Sequence, residues 1–146
     1  MKILRATQSS LANIVSLFDA YRVFYGQESD ITAVEKFLSE RFSKNDSVIF
    51  TAEDDFGKGL GFTQLYPSFS SVSMQRVYIL NDLYVSEEAR GQGVGEALLE
   101  RAKQFTISEG AKGLTLETDL DNPAQKLYER LGWTKDIDVF HYTWKA

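Results

Sequence analysis

The sequence predicts a single mixed α/β (α+β) domain over residues 1–146, in which helices flank a mostly antiparallel central sheet. Two observations predict this class. Apolar residues recur at helical spacing in four segments and at strand spacing in several others. The order of these segments puts one strand–helix–strand unit inside a sheet whose other neighbours are typical of antiparallel pairing. No repeat or linker-like stretch divides the chain, which is long enough to bury one core.

The first half of the chain is expected to begin with a short strand and two helices before the sheet continues. A serine cap opens the first helix, which ends near Gly26, and Asp30 or Thr32 opens the second. Pro67 is expected to end the third strand, because proline cannot donate to a strand ladder. The strands predicted in this half lie at 3–6, 47–53, 60–66 and 75–85.

The second half is punctuated by glycine and proline. Three closely spaced glycines lead into a helix that Gly110 closes, and Asn122-Pro123 opens another that ends at Gly132. The elements predicted in this half are helices over about 94–109 and 122–131, and strands over 114–118, 133–137 and 140–144.

Composition excludes several classes of function. The chain has no cysteine, which rules out disulfides, thiolate metal sites and a cysteine nucleophile, and its single histidine, His141, cannot assemble a metal site alone. A net charge of −5 without a basic stripe argues against nucleic-acid binding. No stretch is long and apolar enough to span a membrane. We therefore expect a cytoplasmic protein, whose acidic balance serves either solubility or the recruitment of a cationic substrate.

The strongest chemical signal is a strand that runs into a glycine-rich helix start. Leu83-Tyr84-Val85 leads through a short polar turn to Arg90-Gly91-Gln92-Gly93-Val94-Gly95. Glycines let the backbone approach a ligand closely, and the free amides of a helix start attract phosphate. The spacing fits neither a phosphate-binding P-loop, which needs Gly-Lys-Ser/Thr, nor the G-x-G-x-x-G dinucleotide fingerprint.

Two segments resemble the GCN5-related N-acetyltransferase (GNAT) superfamily. Residues 90–95 match its Q/R-x-x-G-x-G/A signature. About thirty residues downstream, Asn122-Pro123-Ala124-Gln125-Lys126-Leu127-Tyr128-Glu129-Arg130-Leu131-Gly132-Trp133 resembles the N-x-x-A-x-x-L-Y-x-x-x-G-F segment of the family. The resemblance implies the GNAT fold, with two central strands that splay apart. It also implies direct transfer of an acetyl group from acetyl-CoA, as co-substrate, to a primary amine without a metal.

The resemblance further implies which residues hold acetyl-CoA. Arg90 and the backbone amides that follow it would bind the pyrophosphate, and the preceding strand would pair with the pantetheine arm. A main-chain amide near Tyr84 or Val85 would steady the thioester oxygen. Asn122 would bond the pantetheine, cap a helix, or do both. The complete predicted set is Leu83, Tyr84, Val85, Arg90, Gly91, Gln92, Gly93, Val94, Gly95, Glu96 and Asn122.

Three residues are candidates for catalysis. Tyr128 would protonate the departing thiolate, unless it only packs its helix against the sheet. Asp82 and Glu117, expected on the strands that flank the opening, are candidates for the base that deprotonates the amine. Either carboxylate is equally compatible with a structural or solvated role. Glu28 and Asp30 are lesser candidates for attracting a cationic acceptor.

The acceptor is expected to be a small cationic amine or a polyamine. Aromatic side chains that would line its groove are Tyr21, Phe24, Tyr25, Tyr66 and Phe69. A protein lysine or N-terminus remains open as the acceptor, and so does a sensor that binds acyl-CoA without turnover. The aromatic-rich segment 139–144 is expected to pair two copies of the chain as a homodimer.

Overall fold

A computed structural model describes all 146 residues and contains one five-stranded sheet, in the order β1-β2-β3-β4-β5. Helices α1 and α2 lie between the first two strands in sequence, and α3 connects the last two. The strands are β1 (Lys2–Arg5), β2 (Val48–Glu53), β3 (Gly59–Ser70), β4 (Gln75–Val85) and β5 (Leu114–Thr115). The helices are α1 (Leu11–Phe24), α2 (Ile31–Lys44), α3 (Val94–Ser108) and α4 (Gln125–Arg130).

Each face of the sheet buries its own apolar cluster. One face packs against α3 through residues such as Phe50, Leu65 and Leu98. The other packs against α1 and α2 through residues such as Ile14, Leu38 and Phe62. The mixed α/β class and the flanking helices are thus as predicted.

The two central strands separate soon after they meet. Strands β1 to β4 pair antiparallel, whereas β4 and β5 run parallel and pair only at Tyr78–Leu114 and Ile79–Thr115. Beyond Ile79 the side of β4 that faces β5 has no neighbouring strand. This is the splayed opening that the resemblance implied.

A β-bulge at Asn81 changes which side chains at the end of β4 point to each face of the sheet. Gln64 of β3 pairs with Asp82, and the next residue, Leu65, pairs with Leu80, so Asn81 has no partner on β3. Before the bulge, Tyr78 and Leu80 pack into the core beneath α3, and after it Leu83 and Val85 do so. Asp82 and Tyr84 consequently face α1.

The prediction that Pro67 ends its strand was wrong, because β3 continues through it to Ser70. The β2–β3 ladder stops at the Val48–Leu65 pair, so Pro67 lies where only β4 is a neighbour. A missing N–H there interrupts no ladder, as is usual for proline at a sheet edge.

The end of the chain also differs from the prediction. Strand β5 spans two residues instead of the predicted 114–118, and the strands predicted over 133–137 and 140–144 are absent. No backbone hydrogen bond involves residues 134–146, and the apolar side chains Ile137, Phe140, Tyr142 and Trp144 are exposed. The outer edge of β5 is free, but β5 is only two residues long and offers these residues little edge for pairing. None of the helices combines the length and apolarity that crossing a bilayer requires.

Candidate active site

The loop before α3 depends on glycine at two positions. Gly91 has a φ of 72° and Gly93 a φ of 79°, both in the left-handed region that other residues avoid. A Cβ built on either residue would meet no atom within 4 Å. The loop is therefore open on its outer side and needs glycine for its backbone conformation.

The backbone amides of residues 91–96 are free. None of them donates a hydrogen bond to another atom of the protein, and the first bond of the helix start runs from the Ala97 amide to the Gly93 carbonyl. These six N–H groups lie at the positive end of the dipole of α3, a helix of 15 residues. Free amides and a helix dipole together favour an anionic group such as a phosphate.

A pocket of about 450 Å³ opens over this loop. Its walls come from the end of β4, the start of α3 and the helix α4, which contributes Leu127 and Arg130. Arg130 forms an ion pair with Glu96 at 2.9 Å, so a second cation stands beside the loop. Arg130 was not predicted as a site residue, although it lies in the segment 122–133, two residues after Tyr128.

Arg90 lies at the mouth of the same pocket. Its Nε donates to the Val85 carbonyl oxygen at 3.2 Å, and its guanidinium lies 5.7 Å from the ring centre of Phe24. The side chain thus links the strand, the loop and the end of α1. Its charge is paired with no carboxylate, which leaves it available to an anion.

Tyr128 and Asn122 both have visible structural roles. The Tyr128 ring packs on the α3-side core and lies 6.0 Å from the Trp133 ring, and burial raises the pKa of its phenol. Asn122 Oδ1 accepts a hydrogen bond from the Ala124 amide at 2.9 Å, just before α4. The packing interpretation of Tyr128 is therefore confirmed. Asn122 does not cap α4, because the N-cap position is occupied by Ala124 and no side chain caps this helix. The chemical roles of both residues stay predictions.

Asp82 is a buried carboxylate held by amide donors on both oxygens. Its residue is 3% exposed. Gln64 Nε2 donates to its Oδ2 at 2.6 Å, and Asn81 Nδ2 donates to its Oδ1 at 2.9 Å. No lysine, arginine or histidine forms an ion pair with it. A carboxylate this buried is normally paired with a cation, whereas Asp82 is held by neutral amide donors alone.

The charge of Asp82 acts on three tyrosine phenols. Burial and the Asp82 charge raise the pKa of Tyr66 to about 12, and the same two causes raise the pKa of Tyr21 further. The pKa of Tyr25 is raised by burial, then by the charges of Asp119 and Asp82. All three phenols therefore stay protonated at neutral pH.

Comparison with known proteins decides the family. The model of the acetyltransferase (GNAT) family matches residues 14–133. An uncharacterized N-acetyltransferase of Bacillus subtilis, YhfO, is 49% identical over 143 residues, covering 97% of this chain and 95% of its own. The chain belongs to the GNAT family.

Two further likenesses agree with that assignment. A solved structure described as a probable acetyltransferase superposes with a TM-score of 0.95 at 44% identity, covering 100% of this chain and 98% of the other. A streptothricin acetyltransferase of Escherichia coli is 30% identical over 132 residues, covering 86% of this chain and 72% of its own. The protein is thus a GNAT acetyltransferase.

Within this GNAT domain, the carboxylate Glu117 is not where the sequence placed it. It was expected on a strand beside the opening, but β5 ends at Thr115 and Glu117 follows it. Its side chain is 83% exposed and lies 3.3 Å from His141 Nδ1. The structure therefore puts one of the two candidate bases, Asp82, in a buried setting and the other in solvent.

The lesser candidates Glu28 and Asp30 have plain structural settings. Asp30 caps α2 by accepting from the Ala33 amide at 3.0 Å. The buried Asp19 fastens the preceding loop, because it accepts from Ser29 Oγ at 2.6 Å and from the Asp30 amide at 2.8 Å. Glu28 is exposed.

Proposed function

We propose that this acetyltransferase moves an acetyl group from acetyl-CoA directly to a primary amine of a small cationic molecule. One arrangement carries the proposal: free amides at the start of α3 lie at the opening between β4 and β5, and the unpaired Asp82 lies on the neighbouring stretch of β4. Anion binding and amine binding thus fall at one end of the same strand. Those are the two recognition tasks that the reaction needs.

The residues around the loop suit the diphosphate of acetyl-CoA. The amides of residues 91–96 supply six donors, and Arg90, which is paired with no carboxylate, supplies positive charge. Arg130 lines the same pocket but is ion-paired with Glu96. The side of β4 that faces β5 is unpaired over Leu83–Val85, which leaves backbone groups free for the amide-rich pantetheine arm. Acetyl-CoA supplies the activated acyl group, whose thioester oxygen a main-chain amide near Tyr84 or Val85 would stabilise.

Two side chains would handle the protons. An amine with a pKa near 10 arrives as an ammonium ion at neutral pH and must lose a proton before it can attack. We assign that proton to Asp82 because it is a buried carboxylate without a cationic side-chain partner. The C–N bond then forms as the C–S bond breaks, and Tyr128 gives its phenolic proton to the thiolate. Tyr128 recovers a proton from the attacking nitrogen through solvent.

A small acceptor fits these observations better than a protein acceptor. Asp82 is buried, and its charge acts on Tyr21, Tyr25 and Tyr66, a setting that suits a narrow ammonium group. The chain's net charge of −5 favours a cation. The name of the streptothricin acetyltransferase states a small-molecule substrate for that relative. A protein lysine or N-terminus is the alternative acceptor within the same chemistry.

The test is a titration followed by turnover. Acetyl-CoA is added to the protein in a calorimeter, and a panel of amines and lysine peptides is then screened for thiol release. We expect micromolar binding and release with a polyamine or another small cationic amine. Asp82→Asn and Tyr128→Phe should each bind acetyl-CoA normally and release thiol at least about 100-fold more slowly. Binding without release by any acceptor would indicate a sensor instead of an enzyme.

We further propose that two copies pair through residues 134–146. This segment has no backbone hydrogen bond to the rest of its own chain, and it exposes Phe140, Tyr142 and Trp144. The outer edge of β5 is also unpaired. An unpaired sheet edge and an unpaired apolar segment are complementary, since each supplies what the other needs.

A further inference from the structure

The burial of Asp82 raises a question of access. The residue is 3% exposed, and amide donors from Gln64 and Asn81 already contact its two oxygens at 2.6 and 2.9 Å. Little of the carboxylate surface is therefore accessible to an acceptor amine. A proton leaving an acceptor amine needs an intermediate group to reach it.

Tyr21 is a candidate for this intermediate group, because its hydroxyl lies next to the Asn81–Asp82 stretch of β4. It projects from α1, the helix that faces the Asp82 side of β4, and its ring packs edge-on to Phe62 with centroids 5.8 Å apart. The Tyr84 ring lies 6.2 Å away. The Tyr21 hydroxyl donates to the Asn81 carbonyl oxygen at 3.5 Å, and Asn81 is the bulge residue next to Asp82. Packing thus fixes the ring, while the hydroxyl stays free to turn about its C–O bond.

The electrostatics of Tyr21 suit a group that passes protons without ionising. Burial is the first cause that raises its pKa, and the negative charge of Asp82 is the second. The phenol therefore remains neutral across the working range of pH. It can release its own proton to Asp82 only while it receives another.

We propose that Tyr21 is a proton relay between the acceptor amine and Asp82. In one concerted step the phenolic oxygen takes a proton from the ammonium nitrogen while the phenolic proton passes to the Asp82 carboxylate. The amine becomes neutral and nucleophilic, Tyr21 is unchanged, and Asp82 becomes a neutral acid that later returns its proton to solvent. This relay rests on the proposed function, because it deepens the role given there to Asp82.

Other titratable groups face the pair and define the controls. Tyr25 directly follows α1, and its ring lies 5.0 Å from that of Tyr21. Tyr66 lies on β3 and Tyr84 on β4. The charges that act on these tyrosines from further out are Asp119 on Tyr25, and Arg41 and Asp46 on Tyr66. Tyr25 is the rival relay, because Asp82 also raises its pKa.

The experiment compares pH–rate profiles of the full chain with acetyl-CoA and its best amine. Tyr21→Phe keeps the ring and removes only the hydroxyl. We expect kcat at pH 7 to fall about 100-fold, while the KM for the amine and the Kd for acetyl-CoA change less than about threefold. The deficit should shrink to about tenfold or less by about pH 9, because free amine then forms without help. Tyr78→Phe, a buried tyrosine on the α3 face, is the matched control and should keep wild-type rates.

A double variant decides whether the two groups act in series. Tyr21→Phe with Asp82→Asn should be no slower than the slower single variant, because breaking one relay twice adds nothing. Multiplicative losses, a deficit that does not change with pH, or a larger loss in Tyr25→Phe than in Tyr21→Phe would each overturn the relay. If Asp82→Asn is slow and Tyr21→Phe is not, the relay fails and the proposed function stands. If wild type transfers to no amine, the proposed function itself fails.

Discussion

Two side-chain amides, those of Gln64 and Asn81, hold the Asp82 carboxylate. Gln64 sits in an apolar strand and carries no charge, so no motif marks it. Alternation alone places it with Phe62 and Tyr66 on one face of β3, and that signal was available. The contact with Asp82 was not predictable, because it depends on the register of two strands.

Gln64→Leu should lower both stability and turnover. The change leaves Asp82 Oδ2 without its 2.6 Å donor, and we expect a loss of about 1–3 kcal/mol in unfolding free energy. Freed from one donor, the carboxylate should also lose its orientation, and kcat should fall about 10- to 100-fold. Thr63→Val is the control. It removes a neighbouring buried bond, from Thr63 Oγ1 to the Asp82 carbonyl at 2.8 Å, and spares the carboxylate. Equal kcat losses in the two variants would show that Gln64 acts through stability alone.

Asp19 should make the free energy of unfolding depend on pH. The Ser29 hydroxyl, and after it the Asp30 amide, hold the pKa of Asp19 below its ordinary value of 3.8. Its contribution is therefore full above the unfolded pKa and declines as pH falls through the lower folded pKa. We expect Asp19→Asn to melt at a lower temperature than wild type at pH 7, with the gap closing below about pH 4. Melting curves across that range measure it, with the exposed Asp136→Asn as control. A gap that stays constant with pH would contradict the assignment.

At the scale of elements, the loop before α3 was the most predictable part of the site. Three glycines and an arginine at fixed spacing predict a helix start with free amides, an arrangement that favours anions. The bulge at Asn81 was not predictable, because one unpaired residue leaves no pattern in the sequence. That bulge decides which face of the sheet receives Asp82. Strand alternation puts Asp82 and Leu83 on opposite sides of β4, but it does not determine which side faces α1.

Gly93→Ala tests the loop at this scale. A Cβ at a φ of 79° should destabilise the fold by roughly 1–2 kcal/mol and should also project toward the bound diphosphate. Gly57→Ala is matched to it, since Gly57 has a φ of 82°, open surroundings and a place in the distant β2–β3 turn. Both variants should lose similar stability in denaturant titrations, and only Gly93→Ala should weaken acetyl-CoA binding in a calorimeter. Equal affinities in the two variants would remove the loop from the cofactor site.

At the scale of the whole molecule, the sheet opens between β4 and β5, and residues 134–146 lie outside the sheet. The sequence predicted two closing strands, over 133–137 and 140–144, and in the second of them apolar residues alternate with polar ones. The structure gives them no partner, so the pattern describes a segment that can pair but does not pair within its own chain. A single sequence cannot distinguish these cases, because pairing within a chain and pairing between chains require the same alternation.

The proposed homodimer follows from that segment. Wild type should sediment as a dimer, and replacing Phe140 and Tyr142 by serine should yield a monomer with an unchanged circular-dichroism spectrum. Both side chains are exposed in the single chain, so their loss removes no contact within the domain. Sedimentation equilibrium over a wide range of concentrations measures this. A wild-type monomer at every concentration would contradict the pairing.

The most direct measurement locates the acetyl group after one turnover. Wild-type protein is mixed with isotopically labelled acetyl-CoA and the best amine of the panel, and mass spectrometry follows the label on protein, amine and solvent acetate. We predict that the label passes to the amine nitrogen as free thiol appears, with none on the protein at any time and no thiol release when the amine is left out. Label that accumulates on the protein, or that appears as acetate whether or not the amine is present, would contradict direct transfer to an amine.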